Sequence, residues 1–211
     1  MSVDVFPTMT RTAERPGGPC PAWCTVDHGP ARSDDGVHTN DPLAVELSTD
    51  QHDQAEYIGG GYSAVLVDVQ QYPGKSPFVM LTHHDGMADP CDPLTADQAV
   101  KVAEALEWNA EIVRACGTNT CWCDGLHAPR EDHWGERKEI PLTLTSLDYI
   151  PQVNVVISRP WKAKAAFVEL VSHNERMWDR LTADEAEQLA KHLRRSGAIV
   201  ALHQAVTEGT R

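Results

Sequence analysis

Leu181-Thr182-Ala183-Asp184-Glu185-Ala186 repeats, 87 residues on, the letters of Leu94-Thr95-Ala96-Asp97-Gln98-Ala99 with Glu in place of Gln. Each stretch opens a helix. The Thr hydroxyl can accept the backbone N–H three residues on, while the Gln98 or Glu185 side chain reaches back to the Thr N–H. Apolar residues then follow at helical spacing: Ala99, Val102, Leu106 and Val113 in the first, Ala186, Leu189, Leu193 and Val200 in the second. Gly197 is expected to weaken or bend the second helix.

Upstream of each helix the same order of features recurs. Phe78, Val79, Leu81 and His84 match Phe167, Val168, Leu170 and His173 at an offset of 89. Trp23, Cys24 and His28 match Trp122, Cys123 and His127 at 99, and Pro42-Leu43 matches Pro141-Leu142 at the same offset. Order kept across separate anchors indicates a duplicated unit. Three strands are expected in each copy, at 43–48, 63–69 and 78–82 and at 140–145, 153–158 and 166–172. Val65, Val67 and Val69 alternate with Leu66 and Asp68, and Val153, Val155 and Ile157 alternate with Asn154 and Val156. Gly59-Gly60-Gly61 and Tyr72-Pro73-Gly74 read as turns. The expected fold is α+β: a duplicated zinc-knuckle-βββα unit, antiparallel sheets each covered by one helix, with pseudo-two-fold symmetry. The divisions are an arm at 1–18, repeats at 19–115 and 116–206, and a tail at 207–211.

The loops ahead of the strands carry the chemistry. The first reads Cys20-x3-Cys24-x3-His28-x9-His38, two thiolates and two imidazoles, the set that fills a tetrahedral zinc shell. Asp27, Asp34, Asp35 and Asp41 are candidates to orient the imidazoles. The second loop offers Cys121, Cys123, His127 and His133, with Cys116 as a possible substitute ligand because Cys-x-Cys is a tight spacing. Two Zn²⁺ per chain are expected, with Trp23 and Trp122 packing the loops down. His83-His84 reads as a sheet-end or surface pair, and Cys91 as an unreactive thiol in an acidic loop, with no cation nearby to lower its pKa.

Composition limits the function. The 211 residues carry a net charge of −13, with 41% hydrophobic and 23% charged residues, an ordinary globular balance. The first 115 residues hold 6 Lys/Arg against 18 Asp/Glu, and the last 96 hold 12 against 13. Broad contact with duplex DNA conflicts with that charge. No apolar run is long enough for a membrane span and no secretory signal is evident, so a cytoplasmic protein with reduced thiols is expected. No His-Glu-x-x-His, Gly-x-Ser-x-Gly or phosphate-loop motif occurs.

The opening Cys20-Pro21-Ala22-Trp23-Cys24-Thr25-Val26-Asp27-His28 and the closing Leu181-Thr182-Ala183-Asp184-Glu185-Ala186 resemble a family of small actinobacterial proteins classed as a domain of unknown function. The resemblance implies no activity. The first reading is a non-catalytic, zinc-stabilised binding or regulatory module whose acidic first repeat meets a basic protein. A zinc-dependent hydrolase with one open coordination site is the second, with Asp34 or Asp35 as base. The third is single-stranded nucleic-acid contact through Arg159, Trp161, Lys162 and Lys164, aided by Arg194-Arg195.

Overall fold

The computed structural model describes residues 20–26, 36–48, 64–84, 91–116, 122–123, 132–144, 152–159, 165–172 and 177–209. Among them the first half runs β1 (His38–Thr39), β2 (Leu43–Glu46), β3 (Ala64–Gln71), β4 (Phe78–His84), β5 (Cys91–Leu94) and α1 (Ala96–Cys116). The second runs β6 (His133–Trp134), β7 (Lys138–Pro141), β8 (Gln152–Arg159), β9 (Phe167–Ser172), β10 (Met177–Leu181) and α2 (Ala183–Gly209). Each half is an antiparallel sheet of five strands followed by a helix.

The two sheets are wired alike. In the first, β3 takes β4 on one side and both short strands, β1 and β2, on the other, and β5 closes the β4 edge. In the second, β8 takes β9 and both β6 and β7, and β10 closes the β9 edge. Valines with period-two alternation form the central strands because branched side chains suit a pleated, half-buried surface. Val65, Val67 and Val69 are fully buried on one face of β3, as are Val153 and Val155 on β8. Tyr72-Pro73-Gly74-Lys75 closes the β3–β4 hairpin, with Lys75 N–H donating to Tyr72 O at 3.0 Å. Gly74 sits at φ 70°, which a side chain would strain.

Several expectations change. Each sheet has five strands where three were expected. The extra β1 and β6 are two residues long, too short for periodicity to reveal. Strand β5 contains Pro93, tolerated because the strand lies at an edge. The offset-99 match of Pro42-Leu43 with Pro141-Leu142 does not hold in space. Val45 faces Val65 as Ile140 faces Val153, which makes Lys138, rather than Leu142, the counterpart of Leu43.

The largest change concerns the helices. Each packs on a sheet, but chiefly on the sheet of the other half. Helix α1 lies against β7, β8 and β9, and α2 lies against β2, β3 and β4. The helices also pack on each other, so one apolar cluster runs from Val45 and Leu81 through Leu106 and Leu193 to Val155 and Leu170. Both capping boxes form. Thr95 N–H donates to Gln98 Oε1 at 2.8 Å and Gln98 N–H to Thr95 Oγ1 at 3.2 Å. Thr182 N–H donates to Glu185 Oε2 at 2.6 Å and Glu185 N–H to Thr182 Oγ1 at 3.2 Å.

Each capping side chain also reaches across. Gln98 Nε2 donates to Pro141 O at 2.7 Å and to Thr143 Oγ1 at 3.3 Å. Glu185 Oε1 accepts from Ser48 N–H at 2.8 Å and Ser48 Oγ at 2.5 Å. Gly197 lies within α2, which runs on to Gly209. It is a contact point: a Cβ there would stand 3.2 Å from Ala96 O on α1. No helix among the described residues is long and apolar enough to cross a membrane.

Candidate metal centre

Cys20, Cys24 and His38 come together where the first loop meets β1. Their ligand atoms all lie within 4.8 Å of one another, and Cys20 Sγ is 3.7 Å from His38 Nδ1. Cys20 is exposed, while Cys24 and His38 are half-buried. Local structure explains the convergence. Pro21 starts a tight turn in which Cys24 N–H donates to Pro21 O at 3.0 Å, so both cysteines face the same way. Thr25 N–H donates to Thr39 O at 3.0 Å, and Thr25 Oγ1 to Asp41 Oδ1 at 3.0 Å, which fastens the loop to β1. Strand β1 is held in turn by its pairing of His38 with Gln71 and by Thr39 Oγ1 donating to Asp68 Oδ2 at 2.9 Å. Asn40 N–H donates to Val69 O, and Val69 N–H donates to Asn40 Oδ1, which pins the chain where it leaves the ladder.

Asp41 therefore anchors Thr25. Of the other expected second ligands and partners, His28, Asp27, Asp34 and Asp35 lie outside the described residues, as do Gly59-Gly60-Gly61 and the arm at 1–18. Trp23 packs on the core and meets His203 of α2 edge to face, ring centroids 6.3 Å apart. The tryptophan thus holds the first loop on the helix of the second half.

In the second half Cys123 and His133 are described, and Cys121 and His127 are not. His133 pairs with Arg159 at the end of β8 as His38 pairs with Gln71 at the end of β3. Trp122, next to Cys123, packs beside β6: a Cβ on Gly135 would stand 3.4 Å from its ring. Cys116 corrects its assignment as substitute thiolate ligand. It is disulfide-bonded, so its sulfur offers no thiolate in this state, while Cys20, Cys24, Cys91 and Cys123 are outside any disulfide. Cys91 lies in strand β5 rather than a loop.

The basic stretch is only partly in view. Trp161, Lys162 and Lys164 lie outside the described residues. Arg159 ends a paired strand instead of riding a loop. Arg194 is engaged: its Nε and NH2 donate to both carboxylate oxygens of Glu107 on α1, at 2.9 and 2.5 Å.

One cluster was missed. His83, read as a sheet-end or surface residue, does stand at the end of β4 but is only 1% exposed. Its Nδ1 contacts Asp179 of β10, and its Nε2 lies 3.6 Å from Asp92 of β5. Burial alone would depress the imidazole pKa. The charge of Asp179, its hydrogen bond and the contributions of Asp92 outweigh that and raise it to about 9. A clue was present: Asp92 and Asp179 stand 87 apart, the helix offset, and face Leu81 and Leu170 in matching register.

Residues 5–120, just over half of the chain, match the family model described as Domain of unknown function (DUF6907), and the protein belongs to that family. No curated protein and no solved structure matches the chain.

Proposed function

We propose that the protein is a non-catalytic binding or regulatory module, built by duplication of one unit at 19–115 and 116–206 and stabilised by zinc. Its acidic first repeat would meet a basic protein partner. The convergence of Cys20, Cys24 and His38 carries this reading. Zn–S bonds of about 2.3 Å and Zn–N bonds of about 2.0 Å in a tetrahedron separate sulfur from nitrogen by about 3.6 Å, close to the spacing found. The donors are soft and borderline, as zinc prefers. His28 is the proposed fourth ligand. Bound zinc would tie a loop poor in apolar residues to β1 and set Trp23 against α2, so its role is to order structure.

The identical wiring of the two sheets supports duplication. So does the bidentate Glu107–Arg194 contact, whose partners are themselves 87 residues apart, as residues at a two-fold axis should be. Elemental analysis of the purified protein tests the metal. Zinc bound at the first site should be lost in Cys24→Ser together with thermal stability. A Cys24→Ser protein that keeps its zinc and its melting point rejects the reading.

A further inference from the structure

Cys20 and Cys24 are both thiols outside any disulfide, and their sulfurs lie within 4.8 Å of each other and of a His38 ring nitrogen. The two differ in access. Cys20 is exposed, with its Sγ 3.7 Å from His38 Nδ1, while Cys24 is half-buried. They differ also in anchorage. Cys24 N–H donates to Pro21 O, and the next residue, Thr25, is fastened to Thr39 and Asp41. One thiol is therefore open to solvent, and the second is held within reach of it. A disulfide needs its sulfurs about 2.05 Å apart. From the 4.8 Å limit that is a closing of at most about 2.8 Å, a distance that a step between staggered χ1 wells covers.

We infer that the Cys20–Cys24 pair is a peroxide-operated release for the ion at the first site. The inference rests on the zinc reading proposed above and adds its regulation. A hydroperoxide reaches Cys20 first, because that sulfur is exposed. The Cys20 thiolate attacks one peroxide oxygen, the O–O bond breaks, and Cys20 becomes a sulfenic acid. The hydroxide or alkoxide that departs takes a proton from solvent. The Cys24 thiolate then attacks the Cys20 sulfur. An S–S bond forms, the S–O bond breaks, and hydroxide leaves and is protonated to water. The two sulfurs have together given two electrons to the peroxide. Neither keeps the thiolate charge that binds zinc, so His38 alone of the three remains a ligand and the ion is released. A dithiol reverses the step: it becomes a disulfide itself, returns the two electrons and restores both thiols. The tie from the loop to β1 through the ion is lost on oxidation, and the contact of Trp23 with His203 of α2 lies within the same loop to report it.

The test uses the full chain, purified with reductant, loaded with zinc and desalted. Hydrogen peroxide is added and then removed with catalase. Released zinc is read with a chromogenic chelator, and the thiols by alkylation and peptide mass. Before peroxide, about one zinc should depend on Cys24, judged against Cys24→Ser. Peroxide should release it, and the tryptic peptide that holds Cys20 and Cys24 should become two hydrogens lighter and resist alkylation. A dithiol with fresh zinc should restore both. Cys91→Ser should respond as the parent chain does, since Cys91, though exposed, is outside the cluster. Zinc that stays bound through peroxide, or zinc released with no Cys20–Cys24 disulfide, overturns the inference alone. A chain with no Cys24-dependent zinc before peroxide rejects the zinc reading, and the inference with it.

Discussion

His83 shows how much one buried side chain can decide. It joins β4 and β5 of the first half to β10 of the second, and two carboxylates face it in a region closed to solvent. Its folded pKa, about 9, lies above the value near 6.5 of an unfolded chain. The stabilisation from its proton is therefore complete below about pH 6.5 and disappears as pH climbs through about 9. Urea midpoints measured from pH 6 to 10 should fall across that window, and in His83→Gln the slope should vanish. That variant leaves two carboxylates buried without their cation, a loss of about 3–5 kcal/mol. The sequence could not reveal this cluster from a single histidine. His84 drew notice because His173 echoes it, whereas His83 lines up with Ser172 and has no twin. The two aspartates do echo each other. Their pairing carries meaning only once β5 and β10 are known to be strands.

At the scale of the element, the helix starts were legible and their second task was not. A Thr followed three residues later by Gln or Glu announces a capping box, and both boxes form. Nothing local says that Gln98 also holds Pro141 and Thr143, or that Glu185 also holds Ser48. A cap alone is worth about 1 kcal/mol. Gln98→Ala removes its half of the capping box and its bonds to Pro141 and Thr143, both exposed residues of the other half, so chemical denaturation should show a loss of about 1–2 kcal/mol. Glu185→Gln should be milder than Glu185→Ala, because an amide oxygen can still accept from Thr182. Gly197 is a second case where a local rule misleads. Helix propensity favours replacing it, by about 1 kcal/mol for Ala. Yet a side chain there meets the Ala96 carbonyl at 3.2 Å. Gly197→Val should lower stability by about 1–3 kcal/mol in thermal melts, as overpacking does.

Across the whole molecule, the alternation of Val65, Val67 and Val69 and the periodicity of both helices correctly marked which faces are buried. Periodicity does not record what covers a face. The exchange of helices between sheets was invisible for that reason, since either partner satisfies the same pattern. The candidate metal site was legible in part: spacing nominated Cys20, Cys24, His28 and His38, and the structure joins Cys20, Cys24 and His38, with His28 outside the described residues. The loop that contains them rests on α2 through Trp23 and His203, so a chelator should be felt beyond it. On the proposed zinc reading, a strong chelator should change tryptophan fluorescence and lower the melting temperature, and Trp23→Leu should blunt the fluorescence change. An unchanged spectrum would mean that the loop holds its place without an ion.

The crossing of the helices also sets an order of events during synthesis. The first sheet is complete once Leu94 has left the ribosome, but its main cover, α2, is made only after the whole second sheet. At about 5–20 residues per second, the valine face of β3 waits on the order of ten seconds for that cover. A message cut short before residue 183 would leave the first sheet, though whole, without its lid. Quality control of a nascent chain would then have an apolar sheet to recognise until α2 arrives.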